Sequence, residues 1–245
     1  MIDINALFTV DGIISLITLT FLEIILGIDN IIFISIVSSK LHRNEQSRAR
    51  TWGLSLALIF RIALLFSISW IIGLKDPFFF ISSFGVTGKD LILFAGGVFL
   101  IIKTIKEIVE KINPPNHKEK NYKKLTLKGA ILQIVFLDII FSFDSILTAV
   151  GLVRNVLLMV LAVVIAMIAM LVFSNKVSDF INKHPTVKML ALAFLVMIGI
   201  VLVAEGLHQH IEKSYVYIAL LFSLGVELLN MAYRSKAHKR NDLMP

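Results

Sequence analysis

Apolar positions along this chain come in long runs, and charged positions are collected between them. Cut at the charged breaks, seven runs emerge, roughly residues 12–38, 52–73, 90–105, 128–153, 156–174, 187–206 and 215–233. A helix rises 1.5 Å per residue and a bilayer core is about 30 Å thick, so about 20 residues cross it. The runs are near that length and too long for strands. All five prolines, at 77, 114, 115, 185 and 245, fall outside them, where proline removes no helical hydrogen bond. The pattern predicts an all-α membrane protein with seven transmembrane helices.

Composition agrees. Of 245 residues, 57% are hydrophobic, against about 45–50% in soluble domains, and mean hydropathy is +0.86. The net charge of +7 belongs to the segments between runs. It therefore reports orientation and contact with anionic lipid, not a nucleic-acid face. There is no cysteine, which excludes disulfides, thiolate metal ligands and cysteine catalysis. The first run has no Lys or Arg before it and carries two acids, unlike a cleaved signal peptide, so it is expected to stay as a span.

Basic residues set the orientation. With the N-terminus outside, the inside segments are 39–51, 103–128, 176–188 and the tail from 234, and they hold nineteen of the 24 Lys and Arg residues. The outside segments, 74–89 with Arg154 and Lys213, hold four, and Arg61 lies within a span. Positive charge favours the cytoplasmic side, so the N-terminus is expected outside and the C-terminus in the cytoplasm. One transmembrane domain results, with a first three-helix repeat at 1–105, a basic cytoplasmic linker at 106–127, a second repeat at 128–206, and a seventh helix with a basic tail at 207–245. The linker is Lys-rich, contains Pro114-Pro115 and has no apolar run, which reads as a solvated or lipid-surface segment and not a partner-binding element or soluble domain.

The repeat rests on two motifs. Phe21-Leu22-Glu23-Ile24-Ile25-Leu26-Gly27-Ile28-Asp29-Asn30-Ile31, in the first run, returns 115 residues later as Phe136-Leu137-Asp138-Ile139-Ile140-Phe141-Ser142-Phe143-Asp144-Ser145-Ile146, in the fourth. A fainter echo links Gly97-Val98-Phe99-Leu100 to Gly199-Ile200-Val201-Leu202. Three spans per half place the second half upside down relative to the first, the inverted 3+3 repeat of many secondary transporters, with the seventh helix an addition.

A charge at mid-bilayer costs roughly 2.5–3.5 kcal/mol. Glu23, Asp29, Asp138 and Asp144 must therefore face one another, a cation or water. The bland alternative is that they neutralise the intramembrane Arg61 and otherwise stay protonated. Inverted orientation puts Glu23 at the depth of Asp144 and Asp29 at that of Asp138. Six residues separate the two acids of each motif, about 9 Å along the axis and about 120° around it. Either a break near Gly27 gathers the ligands, or the acids form successive stations; Ser142 stands where the second half would need that glycine. These oxygens, with the Asn30 amide and Ser145 hydroxyl, suit hard divalent cations such as Mn²⁺, Ca²⁺ or Mg²⁺ as substrate. The six histidines, at 42, 117, 184, 208, 210 and 238, lie in loops or the tail, which disfavours zinc and copper. His208 and His210 offer metal collection at an outer mouth, or nothing specific. Met167, Met170 and Met197 are core fillers before they are thioether ligands. Arg61 either balances charge when the cation leaves or is a static ion pair. Glu227 and Asn230, three residues apart and so on one helix face, are possible accessory ligands; Glu205 ends the sixth run and can reach water.

At these residues the chain resembles the TerC family of integral membrane proteins, within the wider LysE transporter superfamily. The two acidic motifs carry the likeness. Lys89-Asp90-Leu91-Ile92-Leu93, His184-Pro185-Thr186-Val187-Lys188-Met189-Leu190 and Val226-Glu227-Leu228-Leu229-Asn230 support it. The resemblance implies manganese export across the bacterial cytoplasmic membrane with the motif acids as ligands; preference for Mn²⁺ over Ca²⁺ comes from the resemblance alone. A metal-binding or assembly protein supplying metal to secreted enzymes is the alternative. An intramembrane aspartyl protease is disfavoured, since neither Tyr-Asp nor Gly-x-Gly-Asp occurs at these aspartates. No enzymatic role is expected.

Overall fold

The computed structural model describes residues 5–67, 77–81, 84–113, 125–153, 155–209 and 211–241. After a 3-10 turn at Asn5–Phe8 come α1 (Val10–Leu26), α2 (Ile28–Ser38), α3 (Arg43–Phe66), β1 (Pro77–Ile81), β2 (Phe84–Thr87), α4 (Gly88–Ile112), α5 (Leu127–Leu152), α6 (Val156–Lys183), α7 (Pro185–Gly206) and α8 (Lys213–Asn241). Among the described residues, five stretches are long and apolar enough to cross a membrane: Val10–Ser38, Arg43–Phe66, Val156–Lys183, Pro185–Gly206 and Ser214–Arg234. α4 and α5, of 25 and 26 residues, have the length as well. In α4 the apolar stretch is cut short by Lys89-Asp90 and Lys103 at its two ends.

Local chemistry sets the helix starts. Thr9 accepts from the Gly12 amide at 3.0 Å, and Asn155 accepts from the Leu157 amide at 3.1 Å. Thr87 and Asp90 form a reciprocal capping box on α4. Each satisfies an amide that the first turn leaves without a helical partner. Pro185 opens α7, where its missing N–H costs nothing.

Two features depart from the run pattern. The described chain is helical apart from a short antiparallel hairpin, β1 with β2, in a segment where long-run hydropathy predicts no element. Pro-Phe-Phe-Phe-Ile favours strand, but five residues are too few to register against a bilayer-length run. Several helices also overrun the apolar segments. α4 continues to Ile112 and α6 to Lys183, past the runs ending near 105 and 174. The extension of α6 is held by side chains that turn inward: Ser178 and Ile181 are buried.

α4 lies along α7, α3 packs on both α5 and α6, and α1 packs on α6. At the α4–α7 crossing a Cβ on Gly97 would fall 2.7 Å from the Gly199 carbonyl, and one on Gly199 would fall 3.1 Å from the Gly97 carbonyl. Only hydrogen at both positions lets the backbones meet. α8 packs mainly on α7, with Tyr217 tilted against Phe194. Leu54, Leu93, Leu100, Leu137 and Met167 are fully buried, whereas Phe21, Ile59, Leu132, Ile168 and Phe222 stand exposed on the outside. An apolar exterior around a bundle whose acids are buried is the arrangement a bilayer requires.

The C-terminal ends of α2, α4 and α6 share one end of the bundle with the N-terminal ends of α3 and α7. Lys40 pairs with Glu107 and Glu110 there, and Lys188 reaches Ser39. We refer to it as the basic end. At the opposite end His208 and Asp90 are 2.8 Å apart.

Candidate functional site

α1 carries Glu23 three residues before its last residue, α2 carries Asp29 and Asn30 in its first turn, α3 carries Arg61, and α5 carries Asp138. The break between α1 and α2 is a single residue. Gly27 keeps a right-handed conformation with φ −93° and ψ −1°, and its amide bonds one residue short, to the Ile24 carbonyl at 3.2 Å. A Cβ there would sit 2.5 Å from Met170 Sδ of α6. Glycine thus lets the thioether press on the break, while the backbone stays close to helical.

The guanidinium of Arg61 joins both halves of the chain. Its Nε donates to Asp138 Oδ2 at 2.9 Å and its Nη2 to Asp138 Oδ1 at 2.7 Å, while Nη1 donates to Glu23 Oε2 at 2.9 Å. Arg61, Glu23 and Asp138 are 3%, 2% and 2% exposed, so the triad is dry. Asn30 Nδ2 adds a bond to Asp138 Oδ1 at 3.0 Å, which brings the Asp29-Asn30 level of span one beside Asp138. Ser142 Oγ donates to the same carboxylate at 3.1 Å. Asp29, also buried, accepts from the Asn30 amide at 3.0 Å. Among the described residues the buried Asn30 Oδ1 atom has no hydrogen-bond partner, an acceptor of the kind a cation uses.

The surroundings differ on the two sides. Leu19, Leu65, Ile146 and Met159 close over Glu23 and leave no room for water. Toward the basic end lies a cavity of about 570 Å³ lined by Phe33, Lys40, Glu107 and Gln133 among others. Phe33 is one helical turn from Asn30. The cluster is therefore sealed by apolar packing over Glu23, while on the side of the basic end Phe33, one turn from Asn30, lines the polar cavity.

The family profile described as "Integral membrane protein TerC family" matches residues 8–242. The chain belongs to the TerC family. A UPF0053 protein of Haemophilus influenzae is 48% identical to it over 222 residues, covering 90% of this chain and 94% of that one. The UPF0053 inner membrane protein YgdQ of Escherichia coli is 47% identical over 219 residues, 89% of this chain and 92% of its own. The longer UPF0053 inner membrane protein YoaE of Escherichia coli is 44% identical over 94% of this chain but only 45% of its own length. No solved structure matches the chain.

In this TerC protein, Glu23, Asn30, Arg61 and Asp138 meet, with Asp29 beside them. The side chain of Asp144 lies outside the described residues. Ser145 is buried and donates to the Ser142 carbonyl at 3.2 Å within its own helix. Glu227 and Asn230 are not brought to the cluster: Glu227 accepts from the Thr186 hydroxyl at the start of α7, and Asn230 is exposed. Met167 and Met170 are buried among apolar neighbours. His208 faces Asp90; His117, His210 and the His238 side chain lie outside the described residues. Among the described residues, no three His, Cys, Asp or Glu side chains are arranged to hold a metal. Arg61 occupies both oxygens of Asp138 and one of Glu23.

Run counting missed a second polar cluster. Arg50 and Lys188 count as loop charges in the sequence, yet they are 6% and 9% exposed. Arg50 reaches Asn175 Oδ1 at 2.8 Å, Ser178 Oγ at 3.1 Å and Ser38 Oγ at 3.2 Å, tying α3 to α6 and α2. The serines at helical spacing in the extension of α6 were the available signal.

Proposed function

We propose that this TerC protein exports a divalent metal cation, Mn²⁺ first, from the bacterial cytoplasm across the inner membrane by alternating access, and that it is a transporter without enzymatic activity. The observation carrying the proposal is the buried Arg61 bridge between Glu23 and Asp138. These acids hold the same place in the two motifs, so one guanidinium on a helix outside both motifs serves both halves. It stands in for the cation when cargo is absent. Glu23, Asp29 and Asp138 together exceed Arg61 by two negative charges, which one divalent ion balances; Asp144 would add a charge that a proton can balance. Metal leaving such a site would favour proton uptake, hence a proposed exchange of metal for protons.

An inverted 3+3 repeat with a seventh helix, N-terminus outside, underlies this reading. Exchanging span one with four and two with five turns the α1–α6 packing into the α5–α3 packing, and both occur. Gly97 and Gly199, equivalent in the repeat, meet face to face. The positive-inside rule makes the basic end cytoplasmic on this reading; the names of YgdQ and YoaE give the inner membrane as their location. The bundle is then closed outward by the packing over Glu23 and nearly open inward through the cavity under Phe33. Asp138, with both oxygens on Arg61, is poorly suited to share a proton as half of a protease dyad.

The test is flux in proteoliposomes, with Mn²⁺, Ca²⁺, Mg²⁺ and Zn²⁺ compared and Asp29→Asn, Asp138→Asn and Asp144→Asn measured beside the native chain. Mn²⁺ flux lost in these variants supports the proposal; flux undiminished in all three, or absent for every ion in the native chain, ends it.

A further inference from the structure

The stretch His184 to Leu190 takes no part in the carboxylate cluster, yet it lines a second cavity at the basic end, of about 490 Å³, between the start of α7, the end of α6 and the start of α3. Among the described residues, four cations line it, Arg43, Lys111, Lys183 and Lys188, against one carboxylate, Asp179. Lys188 is the unusual member. It is 9% exposed, and its ammonium has only neutral hydrogen-bond partners among the described residues, Ser39 Oγ at 2.8 Å and Asn182 Oδ1 at 3.4 Å. Buried lysines are normally paired with an acid. The nearby Glu107, which acts on Lys188 through space, is engaged by Lys40, and Asp179 acts on Arg50. The two helices that begin at this cavity, α3 after His42 and α7 after His184, lack side-chain caps, so their positive ends add to the same field.

We infer that this cavity binds a phosphate-bearing anion, with Lys188 as its central ligand and Arg43, Lys111 and Lys183 around the mouth. The shared chemistry is a phosphate group, whether on an acidic phospholipid headgroup or free in solution. Several lysines and an arginine satisfy its oxygens by charge-assisted hydrogen bonds. The inference is independent of the transport proposal, since no residue of the carboxylate cluster enters it.

The experiment uses the full chain, purified and delipidated. Thermal stability is followed while it is titrated in detergent with inorganic phosphate, and separately after transfer to bilayer discs of pure phosphatidylcholine or of phosphatidylcholine with phosphatidylglycerol. Stabilisation by phosphatidylglycerol alone identifies a headgroup site; stabilisation by inorganic phosphate as well identifies a site for the free anion. Lys188→Gln is expected to weaken the apparent affinity about tenfold or more. Should that variant fail to fold, the paired Lys111→Gln/Lys183→Gln variant, altered only at exposed positions, is expected to weaken it severalfold. Lack of response to either probe, or an unchanged response in both variants, overturns the inference.

Discussion

Replacing Arg61 with methionine isolates what the guanidinium contributes. It makes three bonds of 2.7–2.9 Å to two carboxylates, and the packing of Leu19, Leu65, Ile146 and Met159 over Glu23 leaves no room for water there. Without it, each carboxylate either stays charged at roughly 2.5–3.5 kcal/mol in the membrane interior, or takes up a proton at neutral pH. The second route costs about 4 kcal/mol for a group three pH units below neutrality. Against the loss at two acids stands relief from burying the guanidinium itself, of about the size of one acid's cost. The net loss is therefore about 3–4 kcal/mol, within the roughly 3–5 kcal/mol typical of breaking a buried pair from one side. At about 2–4 °C per kcal/mol for a chain of this size, the midpoint of thermal unfolding in detergent should fall by about 6–16 °C. Glu23→Gln and Asp138→Asn added to Arg61→Met should restore most of it, because no unpaired charge then remains. Arg61→Lys should rescue only partly, since one ammonium cannot reproduce the fork that holds both oxygens of Asp138. If Arg61→Met unfolds within about 1 kcal/mol of the native chain, the cluster is not the tightly coupled charge network argued above.

Other substitutions test the packing and the sealing. Gly97→Ala should destabilise by about 2 kcal/mol or more and Gly27→Ala by less in the same assay, because the first meets the Gly199 and Val203 backbone at 2.7 and 2.8 Å whereas the second meets the movable Met170 thioether and a backbone oxygen, that of Glu23, only at 3.0 Å. Arg50→Met should cost about 1–3 kcal/mol by stripping Asn175, Ser178 and Ser38 of their shared donor, and Ser178→Ala clearly less. The chain has no native cysteine, so a cysteine placed at Gln133, on the wall of the cavity below Phe33, should react with a membrane-impermeant maleimide added to the basic side, while one at Leu65 should stay unlabelled from either side. Burial opposes the charge on Lys40, but the Glu107 hydrogen bond and the charges of Glu107 and Glu110 outweigh it and hold the ammonium above its usual pKa of 10.5. Its tie between α2 and α4 should therefore be fully present at neutral pH and lost only as pH rises through that elevated value, which a Lys40→Met comparison of unfolding against pH reads directly.

How legible this was depended on the length scale of each feature. Runs of bilayer length placed seven helical stretches because every one of their backbone groups must bond internally in lipid, and nothing else tolerates so many apolar residues in a row. The reading lost resolution wherever burial was not apolar. Arg50, Lys188 and Ser178 look like loop residues because charge and hydroxyls lower hydropathy, yet they satisfy one another inside the bundle. The duplicated acids were visible as chemistry, and Asn30 bonds Asp138 in the folded chain, the level at which the proposed inverted order expects them to meet. What spacing left open was the partner of each acid. A motif repeated in two helices says nothing about the rotation of a third, and Arg61 reaches Glu23 and Asp138 because α3 packs against α5, a tertiary fact with no local signature.

That third helix also bears on mechanism. On the proposed inverted-repeat reading the acids come in equivalent pairs, and a residue near the axis relating the halves would serve both members of a pair at once, so a single cation there suffices. The corresponding part of α6 offers Ala166, Met167 and Met170, all buried, with Met170 pressed onto Gly27. One half thus brings charge to the first acids of the motifs while the other brings a deformable thioether to the one-residue break in span one. On the proposed transport reading, divalent cargo competing with Arg61 for Glu23 and Asp138 would push the guanidinium along α3, and the nearest place for span one to yield is that break. The consequence is a separable pair of effects: altering Arg61 should change how tightly cargo and protons are held, whereas replacing Met170 with a β-branched residue should stiffen the break and slow turnover with cargo affinity little changed. If both substitutions shift affinity alone, the hinge role of the Gly27–Met170 contact is wrong even though the carboxylate site stands.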